Sequence, residues 1–163
     1  MFKTVVILSA AALAAGPVAA SDKTDVMAVV HQWVDSFNKG DTKSGLAACA
    51  DEGAIIDDIP PHEWHGSGVC SKWLSDYDAW ATKNGVTAAH ATPGKARHVD
   101  VDGSTAYVVL PMTLTYRDHN NPMKETGTLV TMSLAKADAG WRITGWSWAA
   151  GMTAAVSADS SGH

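Results

Sequence analysis

Two carboxylates and two imidazoles, Asp57, Asp58, His62 and His65, crowd one short segment, Ala54-Ile-Ile-Asp-Asp-Ile-Pro-Pro-His-Glu-Trp-His-Gly66. A carboxyl group in a dry aromatic cavity has a raised pKa and can shuttle a proton to and from carbon, as enolising chemistry requires. An acid beside an imidazole orients the ring, so His62 or His65 with one of the aspartates would make a carboxylate–imidazole pair. The same residues also admit a plain reading, in which the aspartates accept turn amides next to Pro60-Pro61 and the histidines are surface residues. His62, His65 and Asp58 are poor candidates for zinc. His-x-x-His at this spacing lacks the helical His-Glu-x-x-His pattern and a fourth ligand, so no metal and no cofactor is expected.

The element that must position the acids is a short strand. Ala54, Ile55 and Ile56 read as buried extended chain, and Pro60-Pro61 forbids its continuation. Side chains alternate along a strand, so Ala54, Ile56 and Asp58 share one face while Ile55 and Asp57 share the other. Only one aspartate should therefore enter a pocket. Asp58 is expected to be that acid, with His62 as its partner and Asp57 as the second candidate.

Helices come before and after this strand. From Asp22 to Lys39, Val26, Val30, Trp33 and Phe37 recur at three- and four-residue steps, an amphipathic pattern that Gly40 ends. Asp41 or Thr42 can cap a second short helix reaching Ala50. Val69, Cys70, Trp73, Leu74, Tyr77, Trp80 and Ala81 follow helical spacing again, with Asn84-Gly85 as a stop. His31 on the first helix is expected at a cavity mouth or in solvent. Glu125 reads as a solvent-face residue.

The rest of the chain changes period. Val99–Val101, a turn at Asp102-Gly103 and Ala106–Tyr116 predict a hairpin; Thr126–Ala135 and Trp141–Ala149 predict further strands. Val86–His98 is ambiguous, because Pro93-Gly94 splits it. Seven tryptophans mostly fall on core stripes, and packing is their first role. As walls for a flat or apolar ligand, the candidates are Trp64, Tyr77, Met112, Tyr116 and Trp148.

Residues 1–20 read as a secretory signal peptide: Lys3 starts it, Val5–Ala15 is apolar, and Val18-Ala19-Ala20 has the small-residue pattern of a cleavage site. Residues 21–151 suit one domain and 152–163 a disordered tail. The formal net charge is −5, with no basic cluster, which argues against nucleic acid as a partner. No membrane span is expected after cleavage, and the location expected is periplasmic or secreted. Cys49 and Cys70 most simply form a disulfide, worth about 3 kcal/mol for a loop of this length; two buried thiols are the alternative.

Helix, helix, short strand, long helix and a meander of long strands make an α+β domain with a curved antiparallel sheet wrapped around three N-terminal helices. The order resembles the nuclear transport factor 2-like superfamily and its SnoaL-like branch. The resemblance is carried by Val30-His-Gln-Trp-Val-Asp-Ser-Phe-Asn-Lys-Gly-Asp41, Ile55-Ile-Asp-Asp58 with Trp64-x-Gly66, Gly140-Trp-Arg-Ile143 and Trp146-Ser-Trp148. It implies a cone-shaped domain with an enclosed pocket for a small, largely apolar or aromatic molecule. Members use that pocket for isomerisation, aldol cyclisation, dehydration, hydrolysis or ligand binding alone, and the fold does not choose among them. Binding of such a molecule is expected here, with proton transfer, cyclisation or hydrolysis as the chemistry the site would do if it is catalytic; the residues leave open whether the domain is an enzyme. The competing reading is a noncatalytic binding or dimerisation module of the cell envelope, a homodimer through the outer sheet face carrying Tyr107, Val109 and Val130.

Overall fold

A computed structural model describes residues 17–156. The leader expected over residues 1–20 lies outside them, apart from 17–20, which are helical and continuous with the first helix. The chain runs α1 (Pro17–Lys39), α2 (Thr42–Ala48), β1 (Cys49–Ile56), β2 (Glu63–Ser67), α3 (Val69–Lys83), β3 (Val86–Pro93), β4 (His98–Asp102), β5 (Thr105–Asp118), β6 (Asn121–Ala137), β7 (Gly140–Ala149) and β8 (Met152–Ala155).

The three helices form where the apolar periodicity places them. Val26, Val30, Trp33 and Val34 bury one face of α1, which packs on β3, β4 and β7. Asp41 caps α2, its Oδ1 accepting from the Ser44 amide at 3.1 Å. Cys49 and Cys70 form the disulfide expected of them and join the start of β1 to the start of α3. No described helix is long and apolar enough to cross a membrane.

The eight strands make one sheet in the order β2-β1-β7-β6-β5-β3, with β4 on β5 and β8 on β6. The expectation of a wholly antiparallel sheet is corrected at one place, since β1 lies parallel to β7. A chain that leaves β1 through β2 and α3 and returns after the long meander can enter beside β1 in that direction. The parallel pair is close. A Cβ on Gly53 would overlap the Thr144 carbonyl oxygen, and one on Gly145 would overlap that of Ala54.

Three segments differ from the sequence reading. Glu63–Ser67, read as loop, forms β2 because its amides find partners in an antiparallel hairpin with β1, Ile55 opposite Trp64. Met152–Ala155, read as the start of the tail, forms β8 by pairing with residues 123–126 of β6; the rest of the tail from 157 lies outside the described residues. Val130 is fully buried opposite Leu110, so it is not part of the outer face. Tyr107 is on that face and exposed.

Candidate functional site

Asp57 stands one residue past β1, on the face of Ile55, and is 7% exposed. Strand alternation separates the two acids in burial, Asp57 being buried and Asp58 exposed, but both border the same cavity, so the expectation that only one would reach it is corrected. The enclosed acid is Asp57 and not Asp58, because the core lies under Ile55 and not under Ile56, which is 57% exposed; Asp58 lines the cavity while remaining exposed. The turn holds Asp57 from both ends. Its amide donates to the His62 carbonyl at 3.1 Å, its Oδ1 accepts from the Ile59 amide at 3.3 Å, and its Oδ2 accepts from the Trp73 indole at 3.0 Å.

Burial pushes the Asp57 carboxyl up from 3.8 to about 7, and the neighbouring Asp58 carboxylate adds to the rise; the Ile59 amide and Trp73 indole act against it. Near neutrality the group therefore samples both its acid and its base form. Tyr77 goes the same way: burial, followed by the charges of Asp78, Asp57 and Asp58, lifts its hydroxyl to about 12. It stays an O–H donor at neutral pH.

A cavity of about 240 Å³ opens beside Asp57. Trp73, Tyr77 and Trp80 from α3 make one wall, because spacings of four and three put them on one helix face. The Trp73 and Tyr77 rings stack 5.4 Å apart, and Trp80 follows 6.4 Å beyond Tyr77. Leu114 and Tyr116 of β5 face them across the cavity, and Glu125 of β6 and Trp148 of β7 close its sheet side.

Glu125 was expected in solvent and is 5% exposed. Three donors converge on its Oε1: the Thr128 hydroxyl at 2.5 Å, the Gly151 amide at 2.9 Å and the Trp148 indole at 3.3 Å. The cause is a bulge. Met112 pairs with Thr128, but Leu114 pairs with Glu125, so β6 carries one residue more than β5 here. Gly127 takes the positive φ of 83° that this requires. Glu125 and Thr128 then face inward together. The signal in the sequence is a lone glycine inside a strand run.

The other expected residues divide. Tyr77, Tyr116 and Trp148 line the cavity. Trp64 is buried but donates to Asp76 Oδ2 at 2.8 Å, tying β2 to α3, and Met112 is packed in the core. His31 is exposed on α1 and lines no part of this cavity. His62 is exposed, and its Nδ1 meets the backbone oxygen of Asp57 at 3.2 Å, not the carboxylate. The expected acid–imidazole pair is thus not assembled. His62 sits in the turn with φ at 75°, exposed and with its ring nitrogen on the backbone oxygen of Asp57.

A second cavity of about 230 Å³ lies among the helices, bounded by Trp33, Phe37, Leu46 and the disulfide. Its acids are engaged or exposed: Asp41 caps α2 and Asp78 is in solvent. Trp73 and Tyr77 border both spaces. Of the two, only the cavity beside Asp57 has buried carboxyl groups in its lining.

The profile of the SnoaL-like domain family matches residues 26–150. No curated protein matches the chain in sequence. Among solved structures, the hexachlorocyclohexane dehydrochlorinase LinA-type3 from Novosphingobium barchaimii LL02 superposes with a TM-score of 0.72 at 7% identity, over 85% of this chain and 92% of that one. A nuclear transport factor 2-like superfamily protein from Salmonella enterica serovar Typhimurium LT2 gives 0.68 at 15% identity, over 88% and 99%. At such identities the likeness is one of fold.

Proposed function

This chain belongs to the SnoaL-like domain family, and on that premise we propose that it binds a small, largely apolar or aromatic molecule beside Asp57 and moves a proton on it. The observation that carries this reading is the Asp57 carboxyl, buried, gripped by the Trp73 indole and open to an aromatic cavity. A group poised near neutrality can take a proton from carbon as a carboxylate and return it as an acid. Tyr77, kept protonated, supplies a hydroxyl to an oxygen or halogen that gains charge. Proton abstraction followed by loss of a leaving group, an elimination, uses both residues and fits a cavity with no histidine in its wall. A dehydrochlorinase with the same fold makes elimination the first reaction to try. Export to an oxidising compartment belongs to the same proposal, supported by the Cys49–Cys70 bridge.

The test incubates the protein with cyclic ketones and chlorinated cyclohexanes in deuterated water and follows deuterium uptake and chloride release by NMR and ion chromatography. Turnover by the wild type that falls about 100-fold or more in Asp57→Asn, with the melting temperature kept, is expected. Equal turnover in both proteins would remove Asp57 from the chemistry. Ligand binding with no turnover of any substrate would mark the domain as a binding module.

A further inference from the structure

The cavity beside Asp57 has an unusual charge balance for a space meant to receive an apolar body. Three carboxyl groups, Asp57, Asp58 and Glu125, border it, and none of its lining side chains is basic. Its remaining walls are mainly aromatic, with Trp80, Tyr116 and Trp148 joining Trp73 and Tyr77, and aliphatic side chains and Thr153 filling the rest. From this arrangement we infer that the occupant is a small organic cation, an alkylated or protonated amine on an apolar body, with Glu125 as its counter-charge. The inference rests on the reading of this cavity as the ligand site and adds the class of ligand.

Two observations besides the number of acids point there. Glu125 is 95% buried by its 5% exposure, yet all three of its donors converge on Oε1, which leaves Oε2 for something in the cavity. An apolar occupant would strip water from that oxygen and return nothing, a cost typically of about 1–3 kcal/mol. A cation compensates it. The aromatic walls act in the same direction, because the negative faces of indole and phenol rings attract a cation within about 6 Å, most strongly when water is excluded. An anionic occupant would meet three carboxyl groups and no cation. Asp57 and Glu125 also divide the work: Asp57, whose oxygens take the Ile59 amide and the Trp73 indole, is placed for proton transfer, while Glu125 is immobilised by three donors.

Choline and its uncharged carbon isostere 3,3-dimethyl-1-butanol have the same shape and differ in charge, so they isolate the claim. Their dissociation constants are measured by calorimetry with the wild type and Glu125→Gln. Glutamine keeps an oxygen for the three donors and removes the charge, and its melting temperature reports that the fold is intact. Choline should bind at least about tenfold tighter than the isostere to the wild type, and Glu125→Gln should abolish most of that preference. If the isostere binds as tightly as choline, the charge assignment falls while the cavity remains a ligand site. If neither binds, the cation assignment falls, and the ligand-site reading is decided by the turnover test above. A preference for choline that survives Glu125→Gln overturns the role given to Glu125.

Discussion

Asp57 couples the fold to pH with a definite sign. The folded chain holds its proton to about pH 7, whereas the ordinary value of an aspartate is 3.8. Between those limits the folded state binds more protons than the unfolded one, so stability falls as pH rises. The contribution is fully present below about pH 4 and is lost on passing through 7, with a slope of at most about 1.4 kcal/mol per pH unit. Asp57→Asn should flatten the decline in Tm across this window; calorimetry at several pH values checks it, and parallel profiles for the two proteins would refute the buried-acid assignment. Glu125 makes a different prediction. Glu125→Ala leaves the Thr128 hydroxyl, the Trp148 indole and the Gly151 amide without their acceptor, and should cost about 3 kcal/mol or more in urea unfolding. Glu125→Gln should cost far less, because one oxygen remains.

At the scale of the elements, the periodicity of the chain made α1, α2, α3 and the long strands legible, since core-facing residues must recur at 3.6 or 2 residues. What escaped depends on partners. Glu63–Ser67 has no apolar run of its own and becomes a strand because β1 is beside it; Met152–Ala155, exposed throughout, becomes one because β6 extends past its bulge. That bulge also hid Glu125, as counting by twos from Val130 sends it outward until Gly127 inserts a residue. The close parallel pair gives a test at this scale. Gly145→Ala drives a methyl into the Ala54 carbonyl and should lower stability by about 1–3 kcal/mol, with β1 and Asp57 displaced. Gly45→Ala, in α2 with only the Ser36 Cβ at 3.5 Å, should be neutral or stabilising by up to about 1 kcal/mol. Denaturant unfolding distinguishes the two, and equal effects would mean that the β1–β7 approach is looser than described.

For the whole molecule, the disulfide joins the start of β1 to the start of α3, tying residues 21 positions apart. Cys49→Ala/Cys70→Ala should lower unfolding free energy by about 3 kcal/mol through the entropy regained by the unfolded chain, and dithiothreitol should have a similar effect on the wild type but none on the variant. The aromatic residues bind the rest together: Trp33 and Trp73 each lie within 5.0 Å of Trp146 between ring centroids, and the series continues through Tyr77 to the cavity. Packing and cavity wall are thus one structure, which is why core stripes read from sequence contained cavity residues, Tyr77 and Trp148, beside Trp64 and Met112, which are spent on the interior. The sequence by itself determined the α+β order, the helix faces, the cysteine pair and the segment that carries the acid. Only tertiary structure decided which aspartate is enclosed, that His62 meets backbone instead of carboxylate, and that Glu125 joins Asp57. Alternation specifies that neighbouring side chains point apart, but which side is the interior depends on the helices and strands that arrive from elsewhere in the chain.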